Sequence, residues 1–200
     1  MSFLPLPLGS GAFRTACLLA ALSLVLSACS SVVSGVRSEP IKENQSKRTF
    51  GTYVDDESIE LKAKVNLKET DSGYKEGNVN VVSYNGVVLL VGQISTVQLR
   101  TQAAEIVSQL KNVRKVHNEL VVGPSTSALA RINDSWLATK VRSRLVVDDE
   151  VKKGPIKVIT ENAVVYLMGL VTRQEADEAV EVVRRTGGIQ KIVRVFEYLD

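Results

Sequence analysis

The 200-residue chain has one histidine, two cysteines and one tryptophan, and only 5% of its residues are aromatic. So few histidines and cysteines leave little material for a transition-metal site or a disulfide framework. The 25 basic residues nearly balance the 22 acidic ones, unlike the strong basic excess of a dedicated nucleic-acid binder. We therefore expect no cofactor, no metal site and no nucleic-acid partner. An enzyme would lack most of its usual reactive side chains.

The remaining composition is that of a folded protein. Hydrophobic residues make up 44% of the chain and charged residues 24%, close to the average for soluble domains. These fractions exclude a mostly disordered protein, a collagen and a multi-pass membrane protein. The length allows one or two domains.

Residues 1–28 have the pattern of a secretory signal peptide. They carry one charged side chain, Arg14, followed by an apolar run over residues 16–26 and the small residues Ser27 and Ala28. The run is too short to span a bilayer core, which needs about 20 residues. The sequence therefore predicts export from the cytoplasm.

The end of this segment, Leu26-Ser27-Ala28-Cys29, resembles the lipobox of bacterial lipoproteins. The resemblance implies that Cys29 becomes the first residue and carries two or three acyl chains, which anchor more firmly than one. Ordinary secretion with a free Cys29 thiol is the alternative. Ser30 stands where an aspartate would resemble an inner-membrane retention signal, so the resemblance implies the periplasmic face of the outer membrane.

An internal repeat follows a tether predicted over residues 29–54. When the chain is shifted by 77 residues, Tyr84–Gly92 aligns with Glu161–Gly169. Two copies of a unit of about 70 residues indicate a duplication. We predict domains at 55–123 and 132–200, with a linker at 124–131.

Each copy shows the same order of elements. Asp55 to Ser58 and Asn133 to Ser135 offer N-caps for a first helix. Asn85-Gly86 between apolar runs predicts a β-hairpin, whereas Ala163 replaces that glycine in the second copy and weakens the same prediction there. A second helix and a final strand complete each unit. The predicted fold is α+β, α-β-β-α-β twice, with the helices on one face of a small mixed sheet.

These motifs resemble the BON domain. They are Val87–Gly92 and Asn112–Asn118 in the first copy, and Val164–Gly169 and Gly188–Arg194 in the second. Two such units behind a lipobox resemble the dual-BON outer-membrane lipoproteins. The resemblance implies a non-enzymatic protein that binds phospholipid membranes and supports outer-membrane integrity. It also implies that the first helix of the second domain contacts lipid, with Trp136 at the family's tryptophan position.

The residues around Trp136 are consistent with that role. At 100° per residue, Leu137, Val141 and Leu145 form the core side of the helix, and Trp136 lies well away from them. An exposed tryptophan beside cations suits the headgroup layer of a membrane. An aromatic at the edge of the core, under a loop or against the first domain, is the alternative. The predicted lipid-binding residues are Trp136, Lys140, Arg142, Ser143 and Arg144, and the predicted ligands are anionic phospholipids such as phosphatidylglycerol and cardiolipin.

Other features favour ordinary structural roles. His117 has no evident nucleophile or second ligand beside it, and Asp148-Asp149-Glu150 lacks the ligand spacing of a calcium loop. Leu61 and Val65 lie off the core side of the first helix, which suggests an interdomain patch. A protein-interaction adaptor, anchored only by its acyl chains and docked on an envelope assembly machine, is the alternative to lipid binding.

Overall fold

The computed structural model describes residues 48–148 and 155–200. Cys29, the predicted signal peptide and residues 29–47 of the predicted tether lie outside this range. In chain order the elements are α1 (Phe50–Thr70), α2 (Gly73–Glu76), β1 (Asn78–Tyr84), β2 (Val87–Ile94), α3 (Val97–Ser108), β3 (Lys115–Val122), α4 (Ala128–Val147), β4 (Lys157–Glu161), β5 (Val164–Val171), α5 (Arg173–Arg184) and β6 (Lys191–Tyr198).

The two repeats form separate three-stranded sheets with the same topology. The strand orders are β1-β2-β3 and β4-β5-β6. In each sheet the hairpin strands pair antiparallel, and the last strand pairs parallel to the central one. This confirms the predicted α+β fold of two α-β-β-α-β units with mixed sheets.

Helices cover only one face of each sheet, and the other two faces pack against each other. Helices α1 and α3 close the first core, and α4 and α5 close the second. The described part of the chain is therefore a four-layer arrangement of helices, sheet, sheet and helices. The core between the two sheets consists of Val82, Tyr84, Leu89, Val91, Ile159, Tyr166, Met168, Leu170 and Val195.

Polar contacts surround this interdomain core. Arg114 forms an ion pair with Glu197, and Lys157 Nζ lies 3.0 Å from Glu60 Oε1. The interdomain patch predicted at Leu61 and Val65 is wrong: their side chains are 65% and 50% exposed, because the sheets rather than the helices join the domains.

Both long helices begin earlier than the sequence predicts. The side chain of Thr49 caps α1 and that of Ser127 caps α4, each accepting a hydrogen bond from a backbone amide three residues on. Residues 50–54 are therefore helical rather than part of the tether, and residues 128–131 are helical rather than linker. The hydroxyl of Ser135 donates to the carbonyl of Arg131 and caps nothing.

The acidic residues that resembled helix caps hold the hairpin turns instead. Asp56 is buried and accepts hydrogen bonds from Ser83 Oγ at 2.6 Å and from the amides of Asn85 and Gly86 at 2.8 and 2.9 Å. Arg48 Nη1 lies 2.7 Å from the same carboxylate. Burial acts to raise the pKa of Asp56, but these hydrogen bonds together lower it below its ordinary value.

Asp134 has the corresponding position in the second domain. Its two carboxylate oxygens accept hydrogen bonds from the amides of Asn162 and Ala163 at 2.7 and 2.8 Å. Both residues have positive φ angles, 49° and 58°, as Asn85 and Gly86 do in the first hairpin. The second turn therefore has the same type I′ geometry, even though alanine occupies the glycine position.

Ala163→Gly is expected to stabilise the protein by about 0.5–1 kcal/mol, since a residue with a Cβ carries a conformational cost of about 1–2 kcal/mol at positive φ. Thermal or urea unfolding measures the change. Gly86→Ala is the matched control and should destabilise the protein, because its Cβ would lie 2.6 Å from the Asn112 carbonyl oxygen. An unchanged or lowered stability of Ala163→Gly would contradict the strain argument.

Candidate functional site

The solvent-facing side of α4 carries a stripe of exposed apolar residues. Trp136 is 59% exposed, and Ile132 and Val147 are exposed on the same side of the helix. At 100° per residue this side lies opposite the buried positions Val141 and Leu145. We call it the outer face of α4, formed by Leu129, Ile132, Trp136, Lys140, Ser143 and Val147.

Two cations lie at one border of this outer face. Lys140 Nζ is 4.9 Å from the centroid of the Trp136 ring, a cation–π distance. Lys140 Nζ also lies 3.4 Å from the carbonyl oxygen of Gly187, and Arg144 Nη1 donates to the carbonyl of Arg185 at 2.6 Å. The backbone carbonyls at and beyond the C-terminal end of α5 therefore hold Lys140 beside the tryptophan and Arg144 further along the same border of the helix.

Arg142 lies apart from the other predicted site residues. Its position on α4 is about 120° from that of Trp136. Its Nη2 donates to the carbonyl of Val158 on the edge strand β4 at 2.8 Å. The structure thus joins Trp136 and Lys140 directly, places Ser143 and Arg144 further along the same side of the helix, and places Arg142 on the opposite flank.

The two long helices differ in charge. Helix α4 carries four basic residues against one acidic residue, the buried Asp134, which gives 4 − 1 = +3. Helix α1 carries three basic and five acidic residues, which gives 3 − 5 = −2. Ser58 takes the position of Trp136 in α1. The net charges of the two whole domains are similar. The difference in charge between the domains is therefore concentrated in helices α1 and α4.

Sequence reasoning missed four exposed apolar residues of α4. Two precede the predicted start of the helix, and two lie at its C-terminal end. Leu129, Ile132, Val146 and Val147 are all exposed. The apolar spacing of 129, 132 and 136 is a helical signal, but it falls across the supposed linker and the supposed helix start. Ser127, directly before Ala128-Leu129-Ala130, is the correct N-cap.

Two other sequence candidates have ordinary surroundings. His117 is partly buried in β3, where burial and the nearby Lys115 lower its pKa, with Glu119 acting in the opposite direction. Of the acidic triplet, Asp149 and Glu150 lie outside the described residues. Within residues 48–148 and 155–200, none of the helices has the length and apolarity needed to cross a membrane.

Comparison with known protein families identifies the repeated unit. The family model of the BON domain matches residues 55–124 and 133–200. The chain belongs to the BON-domain family. Its two copies confirm the dual-BON organisation, and the four-layer fold described above is the arrangement of two such domains in one chain.

Individual relatives resemble most of this dual-BON chain. It is 40% identical over 179 residues to Outer membrane lipoprotein DolP of Haemophilus influenzae, covering 89% of this chain and 92% of that protein. It is 37% identical over 153 residues to the 21 kDa hemolysin of Actinobacillus pleuropneumoniae, covering 76% of this chain and 79% of that protein. The name of the first relative confirms the predicted location, a lipid-anchored protein of the outer membrane.

Proposed function

We propose that this protein is a non-enzymatic periplasmic lipoprotein whose second BON domain binds anionic phospholipid membrane and so supports outer-membrane integrity. The observation that carries the proposal is the exposed Trp136 beside Lys140 on a helix of net positive charge. Acyl chains on Cys29 would supply the anchor, and the outer face of α4 would supply direct contact with lipid headgroups.

The outer face of α4 has the chemistry that an interfacial helix needs. Its exposed apolar side chains run from Leu129 to Val147, a length of about 27 Å along the helix axis. Such a stripe can lie in the membrane plane with the indole ring at headgroup depth. Each cation close to an anionic surface contributes about 1 kcal/mol, so Lys140 and Arg144 together favour anionic over neutral membranes.

The fluorescence of Trp136, the single tryptophan, tests this proposal. Titration of a soluble chain starting at Ser30 with phosphatidylglycerol or cardiolipin vesicles is expected to shift the emission to the blue, because the ring leaves water. The shift should weaken as salt rises, since salt screens the attraction between cations and phosphates. Neutral vesicles should produce little shift.

A double variant that removes two cations and a single-site control on the opposite flank of the helix locate the contact. Lys140→Gln together with Arg144→Gln should weaken the vesicle affinity about thirtyfold, in line with about 1 kcal/mol for each of the two lost cations. Arg142→Gln, on the opposite flank, should leave it nearly unchanged. Absence of any response to anionic vesicles would rule out the lipid-binding proposal and leave a protein attached only by its acyl chains.

A further inference from the structure

A second candidate surface lies on the other flank of α4. A groove of about 640 Å³ runs between that flank and the edge strands of both sheets, β1 and β4. We call it the lateral groove. Its floor and walls are polar over much of their length, unlike the outer face of α4. Residues from three elements line it, among them Asn78 and Asn80 of β1, Arg131 and Arg142 of α4, and Lys157 and Thr160 of β4.

The two carboxylates in the lateral groove are already engaged. Both oxygens of Asp134 accept hydrogen bonds from the turn amides of the second hairpin. Glu161 Oε1 accepts from Asn78 Nδ2 at 3.1 Å, from Gln93 Nε2 at 2.9 Å and from Thr126 Oγ1 at 3.3 Å. Both carboxylates keep their charge, but among the described residues neither forms an ion pair with Arg131 or Arg142.

The arginines keep unused donors. The guanidinium of Arg131 makes no hydrogen bond or ion pair with the described part of the chain. Arg142 uses one Nη for the carbonyl of Val158, and a guanidinium has five N–H donors. The lateral groove thus has three basic side chains against two acidic ones and keeps unused guanidinium donors, which favours a carboxylate-bearing ligand.

A buried hydroxyl in the groove also lacks a partner. Thr160 Oγ1 finds no hydrogen-bond partner among the described residues. At the corresponding position of the first domain, Ser83 Oγ donates to Asp56 at 2.6 Å. A buried polar atom left unpaired is costly, so the second domain lacks at this position the stabilising contact that the first domain has.

We propose that the lateral groove binds an extended acidic peptide segment of another protein. Arg131 and Arg142 lie within about 20° of each other on the helix wheel and about 16 Å apart along the axis. In an extended chain, two side chains four residues apart lie on the same side and about 13 Å apart, which the arginine side chains can span. This activity goes beyond lipid binding and leaves the outer face of α4 free for the membrane.

The ligand is held by side chains and does not extend either sheet. Arg142 covers the outward carbonyl of Val158 on β4, and Lys157 Nζ lies 3.4 Å from the carbonyl oxygen of Ser83 on β1. Such contacts at edge strands prevent a full additional strand from pairing there. Recognition therefore depends on the arginines and the amides along the walls.

Binding of a labelled peptide, Glu-Thr-Val-Thr-Glu with blocked ends, tests the proposal by fluorescence anisotropy against the soluble chain that starts at Ser30. The matched peptide Gln-Thr-Val-Thr-Gln should bind at least about tenfold more weakly, because it lacks the charge-assisted hydrogen bonds. Arg131→Gln should weaken binding of the acidic peptide by about tenfold as well. Because Arg131 is exposed and unpaired, this variant is expected to keep its fold, which circular dichroism checks.

The control variant separates this proposal from the lipid proposal. Lys140→Gln makes the same charge change on the same helix and should leave peptide binding unchanged while it weakens the response to vesicles. Equal affinity for the two peptides, or an unchanged affinity of Arg131→Gln, would overturn the peptide site. Displacement of the peptide by an equal concentration of inorganic phosphate would also overturn it, since the groove would then be a general anion site.

Discussion

Replacement of Asp56 by alanine is expected to lower the free energy of unfolding by about 3–5 kcal/mol, the usual cost of removing one partner from a buried charged network. The substitution leaves Ser83 Oγ, two turn amides and the guanidinium of Arg48 without their common acceptor. Asp134→Ala should cost less, about 2 kcal/mol, because only two amides lose their partner there. Urea unfolding measures both.

Two controls test the role of Asp56: substitution of its neighbour Asp55, and the pH dependence of the free energy of unfolding. Asp55 is exposed, and Asp55→Ala should change stability by less than about 0.5 kcal/mol.

The pH dependence follows from the lowered folded-state pKa of Asp56. The contribution of Asp56 to the free energy of unfolding is complete above the ordinary pKa of 3.8, and it is lost as pH falls through the folded-state pKa. The Asp56→Ala variant should therefore lose less stability in acid than the parent. Equal stability of the two proteins at pH 7 would disprove the role assigned to this carboxylate.

The second domain on its own, residues 125–200, is not expected to fold into a stable monomer. Its sheet contributes Ile159, Tyr166, Met168, Leu170 and Val195 to the interdomain core. Exposing five buried side chains of this size costs on the order of 7–15 kcal/mol. This is comparable to the total stability of a typical domain, about 5–15 kcal/mol. Gel filtration and thermal melting should show an aggregated or non-cooperative chain.

Co-expression of the two halves is the matched experiment. Residues 48–124 and 125–200 made as separate chains keep every contact of the interdomain core and lose only one peptide bond. They should therefore co-purify as a one-to-one complex that melts cooperatively. A sharp thermal transition of residues 125–200 alone as a monomer would show that the two sheets do not depend on each other.

Much of the fold could be predicted from local patterns. The duplication and the Asn85-Gly86 turn fixed the order of elements, because a hairpin turn between apolar runs has few alternatives. Thr96 and Thr172 cap α3 and α5, and their side-chain oxygens directly before each helix are a signal that the sequence alone provides. Trp136 was correctly placed off the core side of its helix, since helical periodicity alone determines that position.

The helix starts were missed because a buried carboxylate and an N-cap look alike in a sequence. Asp56 and Asp134 stand among other small polar residues, as caps do, and their true partners are turns about 30 residues away in the chain. The same error hid Leu129 and Ile132 from the candidate site. Arg142 was misplaced for a related reason: its flank faces β4, and only the packed structure shows that contact.

The interdomain core was missed although a signal for it exists. Val87 to Val91 is a continuous apolar run, typical of a strand buried on both faces, whereas a sheet with one open face shows alternation. The prediction of helices on one face leaves the second face uncovered. One copy of the repeat does not indicate what covers this second face, because the sheet of each domain covers the open sheet face of the other.

The shared core also has a consequence for biosynthesis. A chain that emerges N-terminus first completes β3 at Val122 but must wait for Tyr198 before the last strand of the opposing sheet is available. At synthesis rates of about 5–20 residues per second, this interval lasts roughly 4–15 s. During it the first domain presents an apolar sheet face to its surroundings, a hazard for aggregation. Newly exported molecules should thus depend on chaperones in the periplasm, and defects confined to the second half should lead to degradation of the first.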